Sequence, residues 1–574
     1  MTNAELARAL TDLSDLMALD DGDPHRISHY KGAATAIRRF EHPIAEMISA
    51  GIDLTQVEGI GTGLASFLVD LVNDGESKRL NDYKDRVPEA LLQVMRLDGV
   101  GATRARTLWR AGGVESIEDL GAALKGRQIQ TLDGFGPAVV SRIRGGLTAR
   151  EQAEGRVFLS AADRGARAIE ALLDELELPF QLAGDIVRRE ETVGTIDVVV
   201  GAGPVVDLVW ESVKKASKKE GWTLDSKRGE NPVALTVGRG GGARLFSTEP
   251  ERLEAVAHHL TGPADYLEAL GDRALSIGTT LTPLGLEVGP DVRVTEERDV
   301  YEALDLPWIP AELRRDEGTL AAVVQSGVPE LVNGADVTGD LHMHTTWSDG
   351  AASLERMVRA ASERGYQYLA ITDHSPSTGP VGGLNAQALA EQLDEIGNVQ
   401  EIHTGVQILA GIEVDILADG TLDLSDETLG RLDIVVASVH SAFEIGEGPM
   451  TKRIIRALEN PNVDILGHAT GRKIGQRLGY PVNLNAVLDA AKDLDVAIEV
   501  NGNPRRLDVS SEWLSQCKER GVKVVVSSDA HSVERLDNVG YAVDQARRAW
   551  LEKHDIVNTR TGPQLLEWTR RRRV

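Results

Sequence analysis

Beyond residue 335 the chain alternates between two periodicities. Seven short apolar runs, VTGDLHMHT, YQYLAITDHS, VQILAGIEVD, LDIVVASVHS, VDILGHATG, VAIEVNGNP and VKVVVSSDAHS, each pass into a polar turn, the pattern of a buried strand and the loop that leaves it. Between them, LERMVRAASERG, ALAEQLDEIGNVQEI and LNAVLDAAKDL space their apolar residues three and four apart, which is helical spacing. Strand and helix in alternation predict parallel strands joined by crossover helices, here closed into a barrel.

The residues that end these runs add chemistry to the pattern. His342, His344, Asp349, His374, Glu413, His440, His468, Asp529 and His531 all fall at predicted strand ends, and they include six of the thirteen histidines. In a parallel barrel the loops at the carboxyl ends of the strands converge on one face, so side chains scattered in sequence are gathered in space. Imidazole and carboxylate suit zinc or manganese, and a carboxylate can bridge two ions where an imidazole cannot. Nine ligands exceed what one ion takes. Such a cluster can activate a bound water. Arg472 in GHATGR and Arg505 or Arg506 in NGNPRRLD are candidate grips for a substrate phosphate, with solvated surface arginine as the alternative.

The front of the chain follows another rule. VEGIGTGLASFLVDLV, LDGVGATRARTLW and LDGFGPAVVSRIRGGL each place Gly-apolar-Gly in a tight turn before an amphipathic helix. The turn glycines are Gly59 and Gly61, Gly99 and Gly101, and Gly134 and Gly136. Bare amides at such a helix start can meet a phosphate oxygen with no Cβ in the way.

Composition narrows the class. At 574 residues the chain exceeds what one hydrophobic core supports, so several domains are expected. Without a signal peptide or an apolar run long enough to span a bilayer, and with Cys517 as the sole cysteine, it reads as cytoplasmic, with no membrane partner and no internal disulfide. The formal charge of -27 argues against nonspecific wrapping of nucleic acid, which Lys and Arg drive. That excess is uneven: residues 1–150 hold 18 basic against 21 acidic side chains, or -3, leaving -24 for the rest.

DLHMHTTWSDG, ITDHS, GIEVDI, SVHS, LGHATGR and SSDAH resemble, in order, the motifs of the polymerase and histidinol phosphatase (PHP) domain, a distorted (β/α)7 barrel. The resemblance implies three ions: His342, His344, Glu413 and Asp529 on the first, a bridging Glu413 with His440 and His468 on the second, and Asp349, His374 and His531 on the third. Asp349, Glu413, Asp529 and His531 are the expected catalytic group, with Mn2+ or Zn2+, two or three ions in all. The three glycine turns resemble helix-hairpin-helix motifs, and DPHRISHYKGAATAIRRF is similar to the opening of family X DNA polymerases. There Arg26 and Lys31 take the positions that receive a 5′-phosphate. The lysines of the family's lyase fall at Gly63 and Phe67, and a Schiff base needs a primary amine.

LAGDIVRREETVGTIDVVV is similar to the palm motif of the same polymerases, Gly-Ser-x-Arg-Arg followed by Asp-x-Asp on a strand. Gly184, Arg188, Arg189 and Asp197 match, whereas Asp185 replaces the Ser, Thr195 the first Asp, and Arg244 aligns with a third Asp on a later strand. Further on, Pro263 and Leu267 stand where the family grips its nucleotide. Nucleotidyl transfer needs several carboxylates around two Mg2+ ions about 3.5–4 Å apart, so Mg2+ belongs in this palm only if the polymerase works.

The chain thus resembles bacterial family X polymerases (PolX) along nearly its whole length. The expected order is a multidomain protein: a small DNA-binding domain with the first hairpin (1–85), a fingers-like hairpin domain (86–150), an α/β nucleotidyltransferase-like palm (151–255), a thumb and linker (256–334) and a PHP phosphoesterase (335–574). The leading expectation is a metal-dependent 3′→5′ exonuclease acting on gapped or 3′-ended DNA, with a degenerate polymerase as holder. A gap-filling polymerase with an editing nuclease is the second reading, and a phosphatase of a small metabolite the third.

Overall fold

The computed structural model describes every residue except Glu41, Glu58, Gly59, Arg127, Pro204, Val205, Pro290, Asp291, Gly379, Pro380, Val381, Arg573 and Val574. The chain forms two compact units, Met1–Gln152 with Gly475–Leu478, and Ala153–Ile474 with Gly479–Val574.

The stretch Met1–Gln152 is helical. Its first helix, Asn3–Leu19, starts at a capping box between Thr2 and Glu5, which satisfies amides the helix cannot, and buries Leu6, Leu10, Leu13 and Leu16. One apolar core runs from Leu6 to Leu147. It crosses the expected boundary at residue 85, so the two front domains share their interior. Helices Thr62–Asp74, Gly101–Gly112 and Pro137–Gln152 follow the glycine turns.

The second unit opens with a five-stranded sheet: β1 (Phe180–Ala183), β2 (Thr195–Val200), β3 (Thr223–Leu224), β4 (Val233–Thr236) and β5 (Gly242–Ser247), in the order β1-β2-β5-β4-β3. Only β2 and β5 run parallel, in a register that sets Asp197 beside Arg244. Helices Leu253–Thr261 and Ala264–Ser276 and a three-stranded antiparallel sheet follow.

Seven strands make the last sheet: β6 (Gly339–Asp340), β7 (Tyr368–Ile371), β8 (Gln407–Asp415), β9 (Ile434–Ser438), β10 (Ile465–Leu466), β11 (Ala497–Asn501) and β12 (Val524–Ser527). They are parallel and neighbours in chain order, and a Met343–Ala530 bridge draws the two ends together. Each of the seven apolar runs supplies one strand. Alternation along β8 puts Leu409, Gly411, Glu413 and Asp415 on one face. Leu409 packs with Ile434, Val436, Ile465, Ala497 and Val525, and with Leu565 and Trp568 of the C-terminal helix Gly562–Arg570. The barrel interior is therefore apolar at the amino ends of the strands and polar at their carboxyl ends.

Candidate metal centre

Six of the seven strands deliver a ligand near or just beyond the carboxyl end, and β11 delivers none of the nine. The nine expected residues converge on Glu413, which is 1 % exposed. Around its Oε1 lie His468 Nε2 at 3.0 Å and His440 Nε2 at 3.3 Å. His374 Nδ1 at 2.9 Å, His342 Nε2 at 3.4 Å and His344 Nε2 at 3.7 Å surround Oε2. Asp529 Oδ1 is 3.3 Å from His344 Nε2 and 4.0 Å from His342 Nε2. Asp349 stands apart, 3.2 Å from His531 Nε2 and 3.6 Å from His374 Nε2.

These groups fit metal ions. His342 Nε2, both ring nitrogens of His344, His374 Nδ1 and His468 Nδ1 are buried without a hydrogen-bond partner, a costly state for polar atoms. Ligand atoms held tetrahedrally at 2.0–2.1 Å from one zinc lie roughly 3.3 Å apart, close to the spacings above. Among the nine, three groups of ligand atoms are compact enough for an ion: His342, His344 and Asp529; His374, Glu413 and His440; and His344, Asp349, His374 and His531. The grouping differs in detail from the implied sharing. His374 joins Glu413 and His440, and His344 also faces the third group, while His468 enters through Glu413 alone.

Electrostatics give the same reading. Burial opposes charge on Glu413, yet His440, His342 and His374 hold it well below the usual carboxylate range; Asp529 is likewise depressed against its burial, by His344, His531 and His342. Despite desolvation, Glu413 and Asp415 push His440 up to about 9, whereas burial and two neighbouring imidazoles drive His344 down to about 4. Glu413 and Asp529 are thus held ionised against their burial, the state in which a carboxylate binds a metal.

Four carboxylates escaped the sequence reading, and each orients a ligand or its loop. Glu499 sits inside the apolar run of β11 and accepts from His342 Nδ1 at 2.6 Å and from the His468 amide at 2.6 Å. That bond fixes the tautomer and leaves His342 Nε2 for a metal. Asp415, two residues beyond Glu413 on the same strand face, does this for His440. Asp373 gathers the Thr345 and Ser348 amides and Gln392 Nε2, and Asp340 takes the His342 and Ser528 amides. A charged residue inside an apolar run was the available signal. His468 and Asp529 adopt φ of 27° and 51°, a region unfavourable for non-glycine residues that persists where the surroundings enforce it.

The candidate arginines part ways. Arg506 borders the centre, its Nε 3.7 Å from Asp529 Oδ2, and Arg505 is exposed. Arg472 does not face the ligands: its guanidinium ends on Glu191 of the palm and on the Leu507 carbonyl. A partner 281 residues away carries no local mark in the sequence.

In the palm, the strand register sets Arg244 opposite Asp197. The two form a bidentate pair with both bonds at 2.8 Å, so a guanidinium binds the one remaining carboxylate. Thr195 adds no charge. Asp185 pairs with Arg156 at 2.7 Å and Arg188 at 2.5 Å, beside the positive-φ Gly184, and Arg189 with Asp163 and Asp544.

Among the hairpin residues, Gly59 lies outside the described residues. A Cβ at Gly61, Gly101, Gly134 or Gly136 would meet nothing within 4 Å, whereas at Gly99 it would press on Arg142. Arg104 ties the second and third turns, donating to the Gly99 carbonyl at 2.8 Å and the Gly134 carbonyl at 3.2 Å. Arg26 is exposed, and Lys31 is half-exposed beside Asp15 at 3.7 Å. Phe67 is buried, and Gly63 accepts from Arg79; neither position offers an amine.

A barrel presenting imidazoles and carboxylates at its strand ends defines a metal-dependent phosphoesterase class, and residues 340–502 match the PHP domain. Residues 1–77 match a helix-hairpin-helix domain and 256–315 the DNA polymerase beta thumb. Over 566 residues the chain is 33% identical to the DNA polymerase/3'-5' exonuclease PolX of Bacillus subtilis (strain 168), covering 98% of each. It belongs to the PolX family. Its barrel alone is similar to shorter proteins. A probable phosphatase of Thermoanaerobacter sp. (strain X514) is 34% identical over 39% of this chain and 91% of its own length. Another, of Caldanaerobacter subterraneus, is 38% identical over 33% and 75%. Among the described residues no helix is long and apolar enough to cross a membrane.

Proposed function

We propose that the barrel hydrolyses DNA phosphoesters from 3′ ends, in the 3′→5′ direction, using two or three Mn2+ or Zn2+ ions, while the hairpins and the palm hold DNA without extending it. The observation that carries this reading is the ring of mutually facing donor atoms around Glu413, several of them buried with no hydrogen bond. When bound, the ions supply an activated water and neutralise charge on the phosphoryl and departing oxygens.

The chain's own residues position the reaction. Glu499 and Asp415 set the ring nitrogens that His342 and His440 present, and Glu413 joins the two halves of the centre. Asp349 and His531, at 27% and 22% side-chain exposure the most open of the nine, mark where the scissile phosphate enters. Arg506 holds a non-bridging oxygen there, with Arg505 at the rim for the next phosphate along the strand. Asp349, Glu413, Asp529 and His531 are the groups assigned to the reacting atoms.

Open glycine turns at Gly61, Gly101, Gly134 and Gly136, with Arg26 and Lys31, suit backbone contacts that recognise a gap or an end rather than a base sequence. In the palm, Arg244 fills the place of an ion, and Asp185 adds negative charge where a triphosphate would lie, so Mg2+ has no carboxylate cage there. A whole-length DNA-acting relative supports a cytoplasmic setting.

A labelled gapped duplex with Mn2+ tests this reading, with extension assayed with added nucleotides and shortening without them. Wild type shortens the strand, Asp529→Ala does not, and neither extends it. Extension by both proteins would overturn the account of the palm. The barrel-only relatives favour a second reading, a phosphatase of small phosphorylated metabolites; turnover of mononucleotides with intact DNA left untouched would select it.

A further inference from the structure

The palm loop that follows β1 is gripped by a helix of the barrel. Arg189 donates to Asp544 at 2.8 Å, and Arg548 donates to Glu190 at 2.8 Å and to the Arg188 carbonyl at 2.5 Å. Gln545 reaches the Arg189 carbonyl at 3.1 Å. Asp544, Gln545 and Arg548 belong to the barrel helix Val539–Arg548. The same loop ends at Glu191, whose carboxylate forks onto Arg472, one bond measuring 3.1 Å.

Arg472 closes the turn that carries the ligand His468. The Gly471 amide donates to the His468 carbonyl at 2.8 Å. Thr470 Oγ1 and the Arg472 amide both donate to Asp508, at 2.8 and 3.2 Å. The Asp508 carbonyl receives the Asn501 amide at 2.7 Å, and Asn501 Nδ2 reaches the ligand Asp529 at 3.1 Å. His468 holds its φ of 27° at the other end of this turn, a conformation that lasts only while the surroundings impose it.

We propose that Glu191 is a positioning residue for the metal centre: by anchoring Arg472 it holds the His468 turn, so a loop of the palm sets the geometry of the barrel's hydrolytic site. The inference rests on the reading of the barrel as a metal-dependent phosphoesterase.

The test uses the full chain with Glu191→Ala and Glu191→Gln. Mn2+ binding is followed by equilibrium dialysis, and hydrolysis on both gapped DNA and bis(p-nitrophenyl) phosphate, which needs no DNA-holding surface. Glu191→Ala should weaken Mn2+ binding and lower kcat on both substrates by roughly tenfold, the scale of losing a group that orients a metal ligand, with KM for DNA unchanged. Glu191→Gln, which keeps the shape and one hydrogen bond, should recover most of both. Wild-type Mn2+ affinity and kcat in a folded Glu191→Ala would overturn the proposal. Should that variant fail to fold, Glu191→Gln decides, because a twofold to threefold drop is expected and full wild-type behaviour counts against the brace. A wild-type protein that hydrolyses neither substrate sinks the phosphoesterase reading, and dialysis alone then judges the brace.

Discussion

The barrel centre and the palm strand pair face one electrostatic problem, carboxylates crowded below the surface, and resolve it in opposite ways. In the palm, Asp197 receives both bonds of Arg244 at 2.8 Å. Burial still raises its carboxyl, but every acceptor has its donor. In the barrel, Glu413 looks onto His342 Nε2 at 3.4 Å and Asp529 onto His344 Nε2 at 3.3 Å, and neither nitrogen forms a hydrogen bond. In the palm a protein cation closes the carboxylate, whereas in the barrel ligand nitrogens are left without a partner, as a metal-binding site leaves them. Satisfaction of polar atoms therefore separates the two better than residue composition does, since both contain carboxylates and basic groups.

The sharpest way to break the comparison is Glu413→Ala. Because this carboxylate joins both halves of the centre, 3′-end shortening in Mn2+ should fall on the order of a thousandfold, the scale of losing a main electrostatic group; a variant keeping a tenth of wild-type activity would refute the assignment. Ion removal comes next. Mn2+ at a hundred times its Kd should stabilise the barrel by about 2.7 kcal/mol relative to chelated protein, read from urea midpoints, and in Glu413→Ala that gap should shrink.

His258 supplies a satisfied histidine for contrast. It is buried in the thumb, 3.2 Å from the Tyr301 hydroxyl, and burial together with Arg314 lowers it from 6.5 to about 3, against the pull of Glu297 and with His259 nearby. The unfolded chain takes up a proton below pH 6.5 that the folded imidazole refuses. Its contribution is thus fully present above pH 6.5 and is lost as pH falls toward 3, at about 1.4 kcal/mol per pH unit. Urea midpoints at pH 7 and pH 5 should converge for His258→Gln; an unchanged slope would show that another group titrates. The smallest effect belongs to Arg244→Ala, about 1 kcal/mol of stability because the guanidinium is partly exposed. Paired instead as Thr195→Asp with Arg244→Asp, the palm should gain Mn2+ binding by dialysis and still extend no primer, because Asp185 remains.

The seven strands were legible because each is a short apolar run, six of them with a ligand near or just past the end, and β8 lies within VQILAGIEVD. The glycine turns were equally plain. Glu499 and Asp415 were not, because a carboxylate that steers an imidazole carries the same letter as one that binds metal, and only three-dimensional partners tell them apart. Arg472 shows the other limit. Its residue type suited a phosphate, but its counter-charge comes from a strand-to-strand loop of a different sheet, and pairing at that separation leaves no periodicity to read. The shared core from Leu6 to Leu147 was hidden for a related reason: two hairpin modules that repeat in sequence look separable until their apolar faces are seen to meet.

The ion pairs between the palm loop and helix Val539–Arg548 bear on excision. Cutting the barrel free at residue 335 would strand Arg548, 4% exposed, without Glu190, and Arg472 without Glu191. A buried charge stripped of its partner costs about 3–5 kcal/mol, a large share of an ordinary domain's stability. Here the polymerase-like half cannot be shed as dead weight: modularity visible in the linear order of domains has been surrendered at one small patch of salt bridges.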